Sequence, residues 1–122
     1  MSRGFTLIEL LVALTIVALV LSLVVPQYTG SLARADEAAL KEDLFILRDA
    51  IDKHFGDTGR YPGSLDELAT KKYLRSVPPD PLTQSAKTWV VVSPADTSLG
   101  RVYDVRSGAP GVGRNGKPYG EW

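Results

Sequence analysis

Apolar residues follow two different patterns along this chain. From Phe5 to Val25 almost every position is apolar, interrupted by Thr6, Glu9, Thr15 and Ser22. As a helix, this run of about 21 residues would be roughly 31 Å long at 1.5 Å per residue, which matches the hydrocarbon thickness of a bilayer. The rest of the chain offers too little apolar surface to wrap such a helix, so the run is expected to span a membrane. A second pattern runs from about Leu32. Leu40, Leu44, Leu47, Ile51 and Phe55 recur at helical spacing on one face, while Lys41, Glu42, Asp43, Arg48, Asp49, Asp52 and Lys53 fall largely away from it. The two patterns predict one long helix, apolar all round at first and amphipathic afterwards. Gly56 and Gly59, with Asp57-Thr58 between them, are expected to close it.

Shorter elements follow. Tyr61-Pro62 predicts an extended segment that lays the tyrosine on the long helix. Ser64-x-x-Glu67 is a capping box, predicting a short helix from Leu65 to about Lys72 with Leu65, Leu68 and Ala69 inward. Val77-Pro78-Pro79-Asp80-Pro81 is too rich in proline for helix or central strand. Residues 88–92 and 101–105 predict two strands joined by the loop 93–100. The Gly- and Pro-rich tail from Ser107 predicts irregular structure with a turn at Asn115-Gly116, and Trp122 packing back on the sheet. The expected fold class is α+β: a long N-terminal α-helix, its first half transmembrane, packed on a short helix and a small antiparallel β-sheet.

Composition narrows the function. At 122 residues the chain holds one small domain beyond the span. Lys+Arg and Asp+Glu both number 14, and aromatics do not interleave with basic residues, so no nucleic acid is expected as partner. The absence of cysteine removes disulfides and thiolate chemistry, and is compatible with either redox compartment. His54 is the only histidine and sits in the last helical turn, where a solvated or capping role is expected. Gly111 to Gly116 fits a G-x-G-x-x-G string but lies outside any βαβ unit, which argues against dinucleotide binding. No constellation for nucleophilic catalysis stands out, and the chain is expected not to be an enzyme, with no cofactor.

The N-terminal segment differs from a cleavable secretory signal. Its apolar stretch is longer, and Val24-Val25-Pro26-Gln27 offers no small-x-small site. Arg3, the one basic residue ahead of the span, places the N-terminus in the cytoplasm by the positive-inside rule. Glu9 is the odd residue. A carboxylate in a span costs about 2.5–3.5 kcal/mol at the helix centre and less near the interface. No Lys or Arg lies one turn away, and Thr6 at i−3 offers only a hydrogen bond, so its cation must come from another molecule.

Gly4-Phe5-Thr6-Leu7-Ile8-Glu9-Leu10 resembles the class III signal of type IV pilins and type II secretion pseudopilins. The resemblance implies that prepilin peptidase cuts after Gly4 and methylates the new Phe5 amine. It implies that Glu9 neutralises the Phe5 amine of a neighbouring subunit. Two unit charges about 4 Å apart attract by roughly 4 kcal/mol at an effective dielectric of 20, comparable to the cost of burying Glu9. Pro26 matches a helix-kinking position of the family. Tyr61-Pro62 after a long helix, Asp80-Pro81 before a small sheet and the Trp122 end look like the major pseudopilins of type II secretion, the general secretion pathway protein G type.

On that resemblance residues 1–4 are the leader peptide, 5–27 the transmembrane and assembly helix, and 28–122 a periplasmic pilin-like domain. The implied protein is a single-pass inner-membrane subunit of a homo-oligomeric, helical periplasmic filament. Its implied partners are prepilin peptidase, the assembly platform of the secretion machine, minor pseudopilins and the membrane. A type IV pilin for adhesion, motility or DNA uptake is the alternative within the class. A non-polymerising single-pass periplasmic binding module is the alternative outside it, and a plain anchor would gain nothing from Glu9. One departure concerns metal. Such pseudopilins commonly hold calcium in an acidic C-terminal loop, and calcium takes 6–8 hard oxygens. After Val105 this chain has only Glu121 as an acidic side chain, beside Arg106, Arg114 and Lys117, with Asp104, Ser107 and Asn115 as further oxygen donors. No metal is expected.

Overall fold

The computed structural model describes residues 4–122, apart from the side chains of residues 25–31. The orienting charge at Arg3 and the bend expected at Pro26 lie outside what is described. The chain separates into two units, residues 1–35 and 36–122. In order, the elements are α1 (Leu7–Thr58), α2 (Leu65–Thr70), β1 (Val90–Val92) and β2 (Asp104–Arg106). Single 3-10 turns lie at Thr97–Leu99 and Tyr119–Glu121. The α+β expectation holds: a long helix, a short helix and a two-stranded antiparallel sheet.

In the first unit, α1 is apolar around its whole circumference, and its Leu7–Val24 stretch is long and apolar enough to cross a membrane. Two hydroxyls within it are satisfied by the helix itself. Thr15 Oγ1 donates to the Leu11 carbonyl at 2.8 Å and Ser22 Oγ to the Leu19 carbonyl at 2.7 Å. This removes the cost of placing unpaired polar groups in hydrocarbon.

In the second unit, the predicted stripe becomes the core. Leu40, Leu44, Leu47 and Ile51 are buried together with Leu65, Leu68, Leu74, Trp89, Val102 and Val105. Phe55 ends the stripe half-buried, stacked on Tyr61 at 4.5 Å between ring centroids. α1 stops at Thr58 because Gly59 takes up the left-handed conformation, φ 71°, and its N–H closes on the Phe55 carbonyl at 2.8 Å. α2 starts where the capping box predicts, with Ser64 Oγ accepting the Glu67 N–H at 3.3 Å. It ends two residues early. Lys72 is left-handed, φ 65°, and the Lys72 and Tyr73 N–H groups turn back to the Ala69 and Leu68 carbonyls, a Schellman closure.

The strands are shorter than the β-propensity implied, and they pair Val90 with Arg106, Val91 with Val105 and Val92 with Asp104. The flanking residues find other partners. Trp89 turns inward and its indole N–H donates to the Pro78 carbonyl at 2.8 Å, while the Val102 N–H donates to the Pro62 carbonyl at 3.0 Å. The proline-rich link is organised around Asp80, which is fully buried. Its carboxylate accepts the Leu82 N–H at 2.8 Å and the Ser107 hydroxyl, tying the 80–85 turn to the tail. The tail carries more order than its composition suggests. Val112 bridges Pro118, Gly116 is left-handed at φ 82°, and the 3-10 turn follows.

A soluble fragment of residues 28–122 is expected to unfold cooperatively in denaturant. Leu47→Ala should lower its stability by about 2–5 kcal/mol through the cavity left in the core. Phe45→Ala, at a position 71% exposed, should stay within about 0.5 kcal/mol of the parent. Equal losses at both positions would contradict the packing described.

Candidate processing and assembly site

The N-terminal motif is built from a cap and a helix start. Gly4, Phe5 and Thr6 precede α1, and all three are exposed. Thr6 is the residue that starts the helix. Its carbonyl accepts the Leu10 N–H at 3.1 Å, and its Oγ1 accepts the Glu9 backbone N–H at 3.2 Å. The hydrogen bond expected between Thr6 and Glu9 therefore goes to the Glu9 backbone. The Glu9 carboxylate remains exposed, in the first helical turn, where the helix dipole favours an anion. Among the described residues it makes no ion pair. Thr6-x-x-Glu9 has the spacing of a capping box, a signal that could have located the helix start from the chain alone.

The Gly4–Phe5 bond lies outside the helix. A peptide bond within an α-helix has its carbonyl engaged four residues on, whereas this one precedes the first helical turn. A Cβ built at Gly4 would meet nothing within 4 Å, so the described part of this chain's fold makes no demand for glycine there. Phe5 is 91% exposed, and the apolar side chains from Leu7 to Val24 are exposed behind it. Such a surface requires lipid or other apolar helices around it.

The prokaryotic N-terminal methylation motif matches residues 1–25. Over 98% of this chain and 92% of its own length, the type II secretion system core protein G of Klebsiella michiganensis is 32% identical. The chain belongs to the type II secretion system core protein G family. Proteins of the same description from Dickeya chrysanthemi and Klebsiella pneumoniae are 31% and 30% identical, over 94% and 98% of this chain and 72% and 94% of theirs. No solved structure matches the chain. It is a pseudopilin, one of the two groups that share the Gly4 to Leu10 motif and the one that Tyr61-Pro62, Asp80-Pro81 and Trp122 resembled.

The other polar concentration in this pseudopilin lies at the end of α1. His54 is buried, contrary to the solvated role open to it from sequence. Its Nδ1 lies 2.7 Å from the Arg60 carbonyl, and its ring packs edge-on against Tyr73 at 5.4 Å. It serves to cap the helix-ending loop. Beside it, Glu67 accepts the Gly63 N–H and pairs with Lys71 at 2.9 Å. The Gly63 hydrogen bond first, and Lys71 second, hold the Glu67 carboxyl below its ordinary range.

The oxygen donors of the C-terminal segment are already engaged or stand apart. Asp104 Oδ1 accepts both Arg48 Nε and the Val105 N–H, at 2.9 and 2.8 Å. Glu121 is exposed, and the other charged side chains of the tail are basic. Among the described residues, no three His, Cys, Asp or Glu side chains gather as metal ligands. The residues do not fit the ion. Arg48 was expected to face solvent, and no periodicity signals its three acceptors, because all lie more than fifty residues away.

Because the folded-state pKa of Glu67 is depressed, its contribution to stability is complete above the ordinary carboxylate value of 4.5 and is lost as pH falls through the lower folded value. Glu67→Gln should therefore flatten the acid limb of the unfolding midpoint against pH below that value, while leaving its shape near neutrality unchanged. An unaltered acid limb would show that Glu67 does not carry it.

Proposed function

We propose that this pseudopilin is a structural subunit of the periplasmic pseudopilus of a type II protein secretion system, without enzymatic activity of its own. Prepilin peptidase cleaves after Gly4 and methylates the Phe5 amine, so residues 1–4 act as leader. The chain then crosses the inner membrane once, N-terminus on the cytoplasmic side, with residues 5–27 as the span and 28–122 in the periplasm. The assembly platform of the machine and minor pseudopilins are its partners during extension. Membership of the core protein G family favours this over a type IV pilin or a non-polymerising periplasmic binding module.

The observation that carries the assembly role is Glu9, an exposed carboxylate at the head of an apolar helix with no ion pair among the described residues. Cleavage creates a cation four residues away in sequence, at the Phe5 amine. Left unpaired, that amine would be a positive charge at the N-terminus of a helix, where the dipole opposes it. In a bundle of such helices, the Phe5 amine of one subunit instead meets the Glu9 carboxylate of the next. Each then removes the cost of burying the other, which sets the axial register of the subunits. The need for glycine at the cleavage site is assigned to the peptidase, since nothing in the described part of this chain crowds that position.

Two measurements test this. The mature chain isolated from membranes should begin at Phe5 with one additional methyl on its amine. An intact leader, seen by mass spectrometry, would refute the processing step. Glu9→Leu should insert and be cleaved normally, yet filament yield from cells that also express the assembly machinery should drop at least tenfold. Glu9→Asp should fall between. Wild-type filament yield from processed Glu9→Leu protein would reject the salt bridge between subunits.

A further inference from the structure

The mismatch with a calcium site leaves a physical question: what closes the C-terminal segment of this chain onto its core, without a metal or a disulfide. Arg48, on the helix face beside Leu44 and Leu47, lies at the meeting point. Its Nε donates to Asp104 Oδ1 at 2.9 Å, and its Nη2 donates to the Val105 carbonyl at 3.0 Å and to the Trp122 carbonyl oxygen at 2.7 Å. One planar cation thereby joins α1, β2 and the tail.

The groups around it extend the same closure. Lys41, two helical turns earlier, lies 5.2 Å from the Trp122 ring centroid. One turn before that, Glu37 Oε1 accepts the Tyr119 hydroxyl and the Arg114 N–H, both at 3.0 Å. Trp122 donates its indole N–H to the Lys117 carbonyl at 3.1 Å and lies flush on Gly113, where a Cβ would come within 2.3 Å of its ring. Glu37, Lys41 and Arg48 are spaced i, i+4 and i+11, a polar stripe beside the buried one, and each holds a different part of residues 113–122.

We infer that Arg48 takes the place of a metal ion in this pseudopilin, so that its C-terminal segment is fastened by a guanidinium and closes independently of calcium. A guanidinium suits these acceptors. It is always charged, its donors lie in a fixed plane, and hydrogen bonds from charged groups are the stronger kind. Calcium at the same position would have to displace the fork from Asp104 and would meet Lys41, Arg48 and Lys117, with Glu121 as the one acidic side chain in the tail. A dication is excluded there by like charge as well as by ligand count.

The test uses the full chain in detergent micelles, followed by tryptophan emission during heating. Both tryptophans, Trp89 and Trp122, lie in the second unit, so the signal reports that unit and not the span. The wild-type midpoint should be the same in millimolar calcium and in EDTA. Arg48→Met should lower it by about 5–10 °C and shift emission to the red as Trp122 is released, with no rescue by calcium. Arg48→Lys should recover only part of the loss, because an ammonium lacks the planar fork. Asp104→Asn keeps both carbonyl acceptors and should lose less than Arg48→Met, which tests the arrangement even if that variant fails to fold. A wild-type midpoint that rises by several degrees with calcium would overturn the inference. So would an Arg48→Met chain melting with the wild type. Neither outcome touches filament assembly, which is read separately.

Discussion

Burial of a single stripe of α1 is the interaction on which the second unit depends. Leu40, Leu44, Leu47 and Ile51 are the continuous apolar surface of its one long element, and the remaining pieces are too short to stand alone. A six-residue helix and two three-residue strands lie below the lengths at which such elements persist in water without tertiary support. α2 covers part of that stripe with Leu65 and Leu68, β2 with Val105, and the residues flanking the strands with Trp89 and Val102, while β1 is held by its pairing with β2. The polar groups exposed by such short elements are then satisfied locally, by the Schellman turn at Lys72 and by Asp80 within its loop.

The same helix meets a different requirement at its start. Backbone groups in hydrocarbon must be satisfied within the segment, and a helix with self-bonded Thr15 and Ser22 does so. Its first turn cannot, because the leading N–H groups of any helix lack intrahelical acceptors. Thr6 supplies one acceptor, to Glu9. In the proposed filament the Glu9 carboxylate then becomes a charged recognition element in an otherwise uniform surface. Apolar side chains alone would permit neighbouring helices to slide, whereas one charge pair specifies a single offset.

The tail shows how a small domain without cysteine can be closed by side chains. From residues 107–122, Tyr119 and Trp122 are the hydrophobic side chains that pack against the core. Their positions are set by directional bonds from Glu37, Lys41 and Arg48, along a helix made rigid by its buried face. Asp80 and Ser107 fasten the other end of the tail. Several modest contacts to a rigid element, each made without much loss of freedom by the helix, replace a covalent or metal link.

The sequence by itself determined the class of protein, the apolar run, the N-terminal motif, the stripe, the Gly59 stop and the Ser64 cap, although the helix runs on through Gly56, expected to help close it. These are local or periodic features, carried by residues within a turn or two of one another. The Ser64 box, the packing of Tyr61 on the long helix and the leucine and isoleucine stripe of α1 were legible for that reason. Tertiary structure alone decided which charged residues of the amphipathic helix find distant partners. Arg48 and Asp49 are adjacent in the chain and equally polar; one reaches three acceptors on β2 and the tail, while the other pairs with Lys53 one turn on. His54 and Asp80 likewise became buried through partners supplied by loops. A hydrogen bond between residues far apart in the chain leaves no period and no spacing to detect, because its existence depends on how the intervening backbone folds.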